Sequence, residues 1–138
     1  MSDPRVAMLK RVPLFGGCDT RDLERIAALA EEVDFPAGKQ IIGEGTFGQE
    51  FFVIVDGEIE VEREGKHLRT MGPGEFLGEI SLVDHRPRSA SATVTQPSRL
   101  LVLGHREFHS LISTHPAIAL KVMAALAQRV RSLDPDTY

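Results

Sequence analysis

The chain has 138 residues, 42% hydrophobic and 26% charged, a composition that suits one soluble globular domain with a modest core. Lysine and arginine total 16 against 20 acidic residues, so the net charge of −4 offers no general attraction for a nucleic-acid backbone. The lone cysteine, Cys18, excludes an internal disulfide, and no secretory leader pattern opens the chain, so a reducing cytoplasm is the expected setting.

In chain order, DTRDLERIAALAEE at 19 to 32 places Leu23, Ile26, Ala27 and Ala30 on one helical face, with Asp19 as N-cap. From Val33 to about Leu103 the texture becomes short β-branched and aromatic runs broken by PAG, GEG, DG, EGK and GPGE, the mark of many antiparallel strands. FFVIV at 51 to 55 and LLVL at 100 to 103 are far too short to span a bilayer, so no membrane role is expected. In FFVIVDGEIEVERE, Asp56-Gly57 reads as a tight turn and Ile59 and Val61 alternate with glutamates, which predicts a β-hairpin with one wet face.

GEGTFG, residues 43 to 48, satisfies the G-x-G-x-x-G pattern of nucleotide phosphate loops. That chemistry requires a helix to begin after the glycines, with its N-terminus facing the pyrophosphate. Here a β-favouring run, Gln49 to Val55, follows instead. GEGTFG therefore reads as a turn between strands, its glycines serving positive-φ positions. No H-R-D or D-F-G accompanies it, and the chain is too short for a kinase or a complete dehydrogenase.

The segment GPGEFLGEISLVDHRPRSASAT, 72 to 93, fits no regular strand. Gly78 to Leu82 can form one helical turn whose open backbone N–H groups converge on an anion. Arg88 would supply the balancing charge, Pro87 restricts the chain before it, and Ser89, Ala90 and Ser91 leave room for a flat ligand. By spacing alone, Glu79 is equally an ordinary first-turn acid and Arg88 an ordinary surface cation.

After Leu103, HREFHSLIST predicts a short helix, and Pro116, suited to N1, starts a longer one to about Leu133. In that last helix Ala119, Met123, Leu126, Val130 and Leu133 follow the spacing of a two-helix seam, while Ile118, Val122 and Ala125 offer a second face to the β body. The expected architecture is mainly β: an eight-stranded antiparallel jelly-roll barrel over 33 to 103, a helical lead-in at 1 to 32, a short phosphate-binding helix, and two C-terminal helices over 105 to 133. One domain, 1 to 138, is expected.

At 78 to 90 the chain resembles the cyclic nucleotide-binding domain family, whose phosphate-binding cassette has the form G-E-[IL]-[AS]-L-x-x-x-x-P-R-[AST]-A. Every defined position matches. The flanking segments resemble the family's leading helices, first strands and closing helices. The resemblance implies that Glu79 accepts from the ribose 2′-hydroxyl, while Arg88 and the backbone N–H groups of Ile80 and Ser81, in the turn that Gly78 starts, hold the cyclic phosphate. Ser89 and Ala90 complete the site. A guanidinium suits the phosphate charge, and an acceptor-only carboxylate suits the sugar, so the two fix the ligand's direction.

Arg86 departs from the small polar residue common before the cassette proline. Ser89 stands where the family's threonine favours guanine and alanine is common in cAMP-selective members. Bacterial receptors of the catabolite activator type also carry serine there, so cAMP is expected ahead of cGMP. An unidentified effector protein and a homodimer through the last helix are the implied partners. The other class of function is a nucleotide-free interaction module on the same fold.

Remaining constellations carry less. His105 and His109 are spaced i,i+4 without H-E-x-x-H order or a third ligand, and His67 stands alone among the strands as a cupin-type ligand. Cys18 lacks a C-x-x-C partner and reads as a packed thiol. No set of nucleophile, base and orienting group can be assembled, so no enzyme is expected.

Overall fold

Two unbroken apolar runs, 51–54 and 100–103, set the architecture. Successive strand residues point to opposite faces, so a run without polar interruption needs cover on both. Phe51, Phe52, Val53 and Ile54 pair with Leu103, Val102, Leu101 and Leu100. Phe51, Val53, Leu101 and Leu103 enter a core shared with the helices, whereas Phe52, Ile54, Leu100 and Val102 enter a second core with Ile42, Ile59, Met71 and Val94.

The computed structural model describes residues 4–78 and 87–133. Its elements are α1 (Pro4–Leu9), a 3-10 turn (Pro13–Phe15), α2 (Thr20–Leu29), β1 (Glu31–Phe35), β2 (Gln40–Ile42), β3 (Glu50–Arg63), β4 (Lys66–Met71), β5 (Phe76–Leu77), β6 (Ser91–Gly104), α3 (His105–Thr114) and α4 (Pro116–Leu133). Strand order is β1-β6-β3-β4, with β2 also on β6 and β5 on β3, all antiparallel. The fold is mainly β with helices packed against it. Among the described residues there are six strands where eight were expected, because β3 and β6 are each 14 residues long and bend through shifts of register.

That bend overturns the Asp56-Gly57 hairpin. Both halves of β3 pair with β6, so the chain kinks at Asp56-Gly57 and continues. Gly57 has φ +109°, and a Cβ there would lie 2.0 Å from Ser98 Oγ, so the DG pair marks a bulge under close backbone approach. Ser98 Oγ accepts from Glu58 N at 3.1 Å and donates to Gln96 O at 2.7 Å, satisfying groups freed by the kink. The reversal comes at Glu64-Gly65, with φ 52° and 77°, between paired Arg63 and Lys66.

The helical layer is pinned at its ends. Asp19 caps α2 as expected, accepting from Asp22 N at 2.8 Å, and Asp22 Oδ2 accepts from Asp19 N at 3.3 Å. The helix ends at Leu29, three residues short of the segment 19 to 32 read as helical, because Glu31 and Glu32 already pair with β6. Ile118 and Val122 of α4 are buried in the first core, as expected of its inner face. The seam is divided: Met123 is exposed beside Leu120, but Leu126 turns inward against the core. The side chains of Ala125, Val130 and Leu133 lie outside the described residues. No single described helix is long and apolar enough to cross a membrane.

His115, between α3 and α4, ties this layer together through Nε2 and Asp22 Oδ1, 3.1 Å apart. The Asp19 backbone N–H, followed by His115, holds the Asp22 carboxyl below its ordinary value. A depressed folded pKa contributes stability that is present above the unfolded carboxylate range and lost as pH falls through the folded value. The gap in unfolding free energy between the parent and Asp22→Asn should therefore close as pH falls from neutral to below about 3.9. A gap of constant size in denaturant titrations across that range would contradict the assignment.

Candidate functional site

Among the described residues, Arg88 is the charged side chain that the fold takes inside, with 6% of its surface exposed. A charge this deep has to be hydrogen-bonded, and the strands supply acceptors. Arg88 Nη1 donates to Gly78 O and Nη2 to Glu50 O, each at 2.7 Å. Both carbonyls take their positions from β3: Glu50 opens that strand, and Gly78 follows β5, whose Phe76 and Leu77 pair with Val53 and Phe52. These two bonds fix the plane of the guanidinium.

Gly78 has φ +95°, and a Cβ on it would stand 2.6 Å from Glu50 O. Only a glycine lets the chain leave β5 this close to β3. The positions Glu79, Ile80 and Ser81, with Arg86, lie outside the described residues. Ser89 is exposed and its carbonyl accepts from Arg63 Nε at 2.8 Å, while Ala90 is half-buried. The structure thus brings Gly78, Arg88, Ser89 and Ala90 together at one end of the sheet.

GEGTFG joins them there, which its sequence context did not indicate. It is a turn between β2 and β3, closed by Thr46 N and Oγ1 on Gly43 O. Of its three glycines Gly45 alone takes a positive φ, +82°, so the expectation of positive φ at all three is corrected. The loop runs against the cassette's exit: Arg88 N donates to Thr46 O at 2.7 Å, Gly45 N to Arg88 O at 2.9 Å, and Glu44 N to Ser91 Oγ at 2.9 Å. Sequence reading missed Thr46, Gly48 and Glu50, because two of them act through backbone carbonyls that any residue carries. The legible signal was Gly48, a residue without a side chain immediately before a β-favouring run.

From this end of the sheet a contact leads to the helices. Phe51, next to Glu50, packs its ring 5.6 Å from Phe76 and 4.8 Å from Phe108 of α3. Elsewhere, His105 and His109 meet edge to face at 4.5 Å, and His67 lies exposed 3.9 Å from Glu60. Among the described residues no group of three His, Cys, Asp or Glu converges on a metal position. Cys18 is half-buried against the first core, and burial pushes its thiol above the ordinary value.

A family model described as cyclic nucleotide-binding domain matches residues 32–115. The chain is 32% identical over 131 residues to the cyclic AMP receptor protein of Thermus thermophilus, covering 91% of this chain and 61% of that protein. It is 30% identical over 129 residues to the CRP-like cAMP-activated global transcriptional regulator of Mycobacterium tuberculosis, covering 90% and 58%. The crystal structure of Thermus thermophilus catabolite activator protein is similar with a TM-score of 0.81 at 32% identity, over 90% of this chain and 61% of that one. The chain therefore spans about three fifths of the length of these relatives.

Proposed function

The chain belongs to the cyclic nucleotide-binding domain family, and from that premise we propose that it is a receptor for a cyclic nucleotide, cAMP ahead of cGMP. The observation that carries this reading is the buried Arg88 fork, oriented by the backbone carbonyls of Glu50 and of Gly78, the glycine that opens the cassette. A cyclic phosphate diester carries one negative charge, which a preoriented guanidinium meets with charge-assisted hydrogen bonds. On this reading the cassette that Gly78 starts offers the backbone N–H groups of Ile80 and Ser81 to the phosphate and the Glu79 carboxylate to the ribose hydroxyl. Ser89 and Ala90 border the phosphate and base. The bacterial relatives whose names carry cAMP support that choice of base.

The role is regulatory and involves no catalysis. Residues 1 to 138 act as one cytoplasmic domain, an eight-stranded jelly roll when the bent strands are counted by halves, which transmits occupancy through α3 and α4 to an effector protein. It acts on neither nucleic acid nor membrane directly. The Phe51–Phe108 contact supports this route. Leu120 and Met123, 63% and 56% exposed on α4, support a protein contact there, with a second copy of the chain as one occupant. The same pair favours the other reading, an interaction module that needs no nucleotide.

Titration calorimetry with cAMP and cGMP separates the two. Arg88→Ala should weaken cAMP by roughly ten- to a hundredfold, the worth of a charge-assisted bond of about 1.5 to 3 kcal/mol. Equal affinity in parent and variant would sink the cassette assignment, and no binding by the parent at millimolar ligand would leave the interaction module. Light scattering tests the α4 face: a parent dimer that Met123→Glu reduces to a monomer is expected, and an unchanged mass would remove the dimer.

A further inference from the structure

The glycine loop that the receptor reading leaves without a ligand role has a close relation to Arg88. A Cβ built on Gly48 would lie 1.7 Å from Arg88 Nε, 2.1 Å from Cζ and 2.2 Å from Nη2. All three of its nearest atoms belong to that guanidinium. Gly48 has no positive φ, so its backbone suits any residue and the demand for glycine there is steric. The guanidinium occupies the volume in which every other residue would place its first side-chain carbon.

We infer that Gly48 is a positioning residue of the anion site: its missing side chain is the seat that lets Arg88 reach Glu50 O and Gly78 O together. This rests on the receptor reading above. Three segments surround the seat. Thr46 O holds the Arg88 backbone N–H, Glu50 O lies two residues beyond Gly48, and Gly78 O closes the far side. A methyl group at 48 meets the movable end of a long side chain before it meets backbone. Gly48→Ala should therefore displace the guanidinium and spare the strands. Bidentate geometry tolerates little displacement, since moving the fork off either carbonyl rotates its plane away from the ligand.

The test uses the whole chain in four variants, with cAMP affinity by calorimetry and thermal unfolding measured together. Gly48→Ala should weaken cAMP by about tenfold or more, the loss expected of a charge-assisted bond. In the Arg88→Ala background the same substitution should change affinity little, because the atoms it displaces are gone; independent structural damage would instead add its full effect. Gly38→Ala is the strain control: Gly38 has φ +92° with no atom within 4 Å of its Cβ position, so that variant should lose stability and keep its affinity.

Should Gly48→Ala fail to fold, the Gly48→Ala/Arg88→Ala double variant should fold, and its failure would overturn the seat. Parent-like affinity in Gly48→Ala, or full additivity with Arg88→Ala, would also overturn it. A crystal structure of Gly48→Ala judges the seat independently of ligand: the guanidinium should have left Glu50 O and Gly78 O, and a fork still bridging them would refute the inference. A parent that does not bind cAMP refutes the receptor reading instead, and the seat then stands or falls on that crystal structure.

Discussion

A guanidinium buried at the end of a β-sheet has to be held in a fixed direction if it is to meet an anion. The carbonyls of Glu50 and Gly78 meet that requirement for Arg88. Both are fixed by the same strand, β3, through its first residue and through its pairing with β5. The direction of the fork thus inherits the rigidity of the sheet and owes little to side-chain rotamers. Glycines let three pieces of backbone crowd around it, Gly78 by its positive φ and Gly48 by the absence of a Cβ.

The same strand faces two cores, which gives the site a mechanical connection. Glu50 binds Arg88 through its carbonyl, and the next side chain, Phe51, enters the helical core against Phe108. Phe52 enters the other core. A change at Arg88 therefore has one residue of strand between itself and α3, and α3 is joined to α2 through His115 and Asp22 at the α3–α4 break. Adjacency alone is not coupling, which requires an element with two arrangements that ligand and partner bias differently. The break between α3 and α4, where Asp22 engages one imidazole nitrogen of His115, is a polar joint between the helices.

Much of this was legible in the sequence where side chains carry the information. Periodicity found α3, α4 and the buried face of Ile118 and Val122, and Asp19 announced its own cap. The resemblance to the cassette proposed Gly78 and Arg88 as site residues, where spacing alone left Arg88 an ordinary surface cation; the structure places the two in contact. What escaped was set by backbone and tertiary pairing. Asp56-Gly57 has the composition of a hairpin turn, yet a long partner strand converts it to a bulge, and Glu64-Gly65 makes the reversal. Leu126 has seam spacing, but the packed core claims it. GEGTFG was recognised as a turn without a helix. That the turn seats the cassette arginine depends on a contact between residues 40 apart, which no local pattern encodes.

Amide hydrogen exchange with and without cAMP, on the parent and on Arg88→Ala, is the measurement that reaches the central claim. If Arg88 holds the phosphate and β3 carries its occupancy to the helices, cAMP should alter protection at 88–91, 50–54, 105–114 and 116–122 in the parent, and these changes should vanish together in Arg88→Ala at matched ligand concentration. Changes confined to the cassette, or helical changes that survive without the guanidinium, would contradict it.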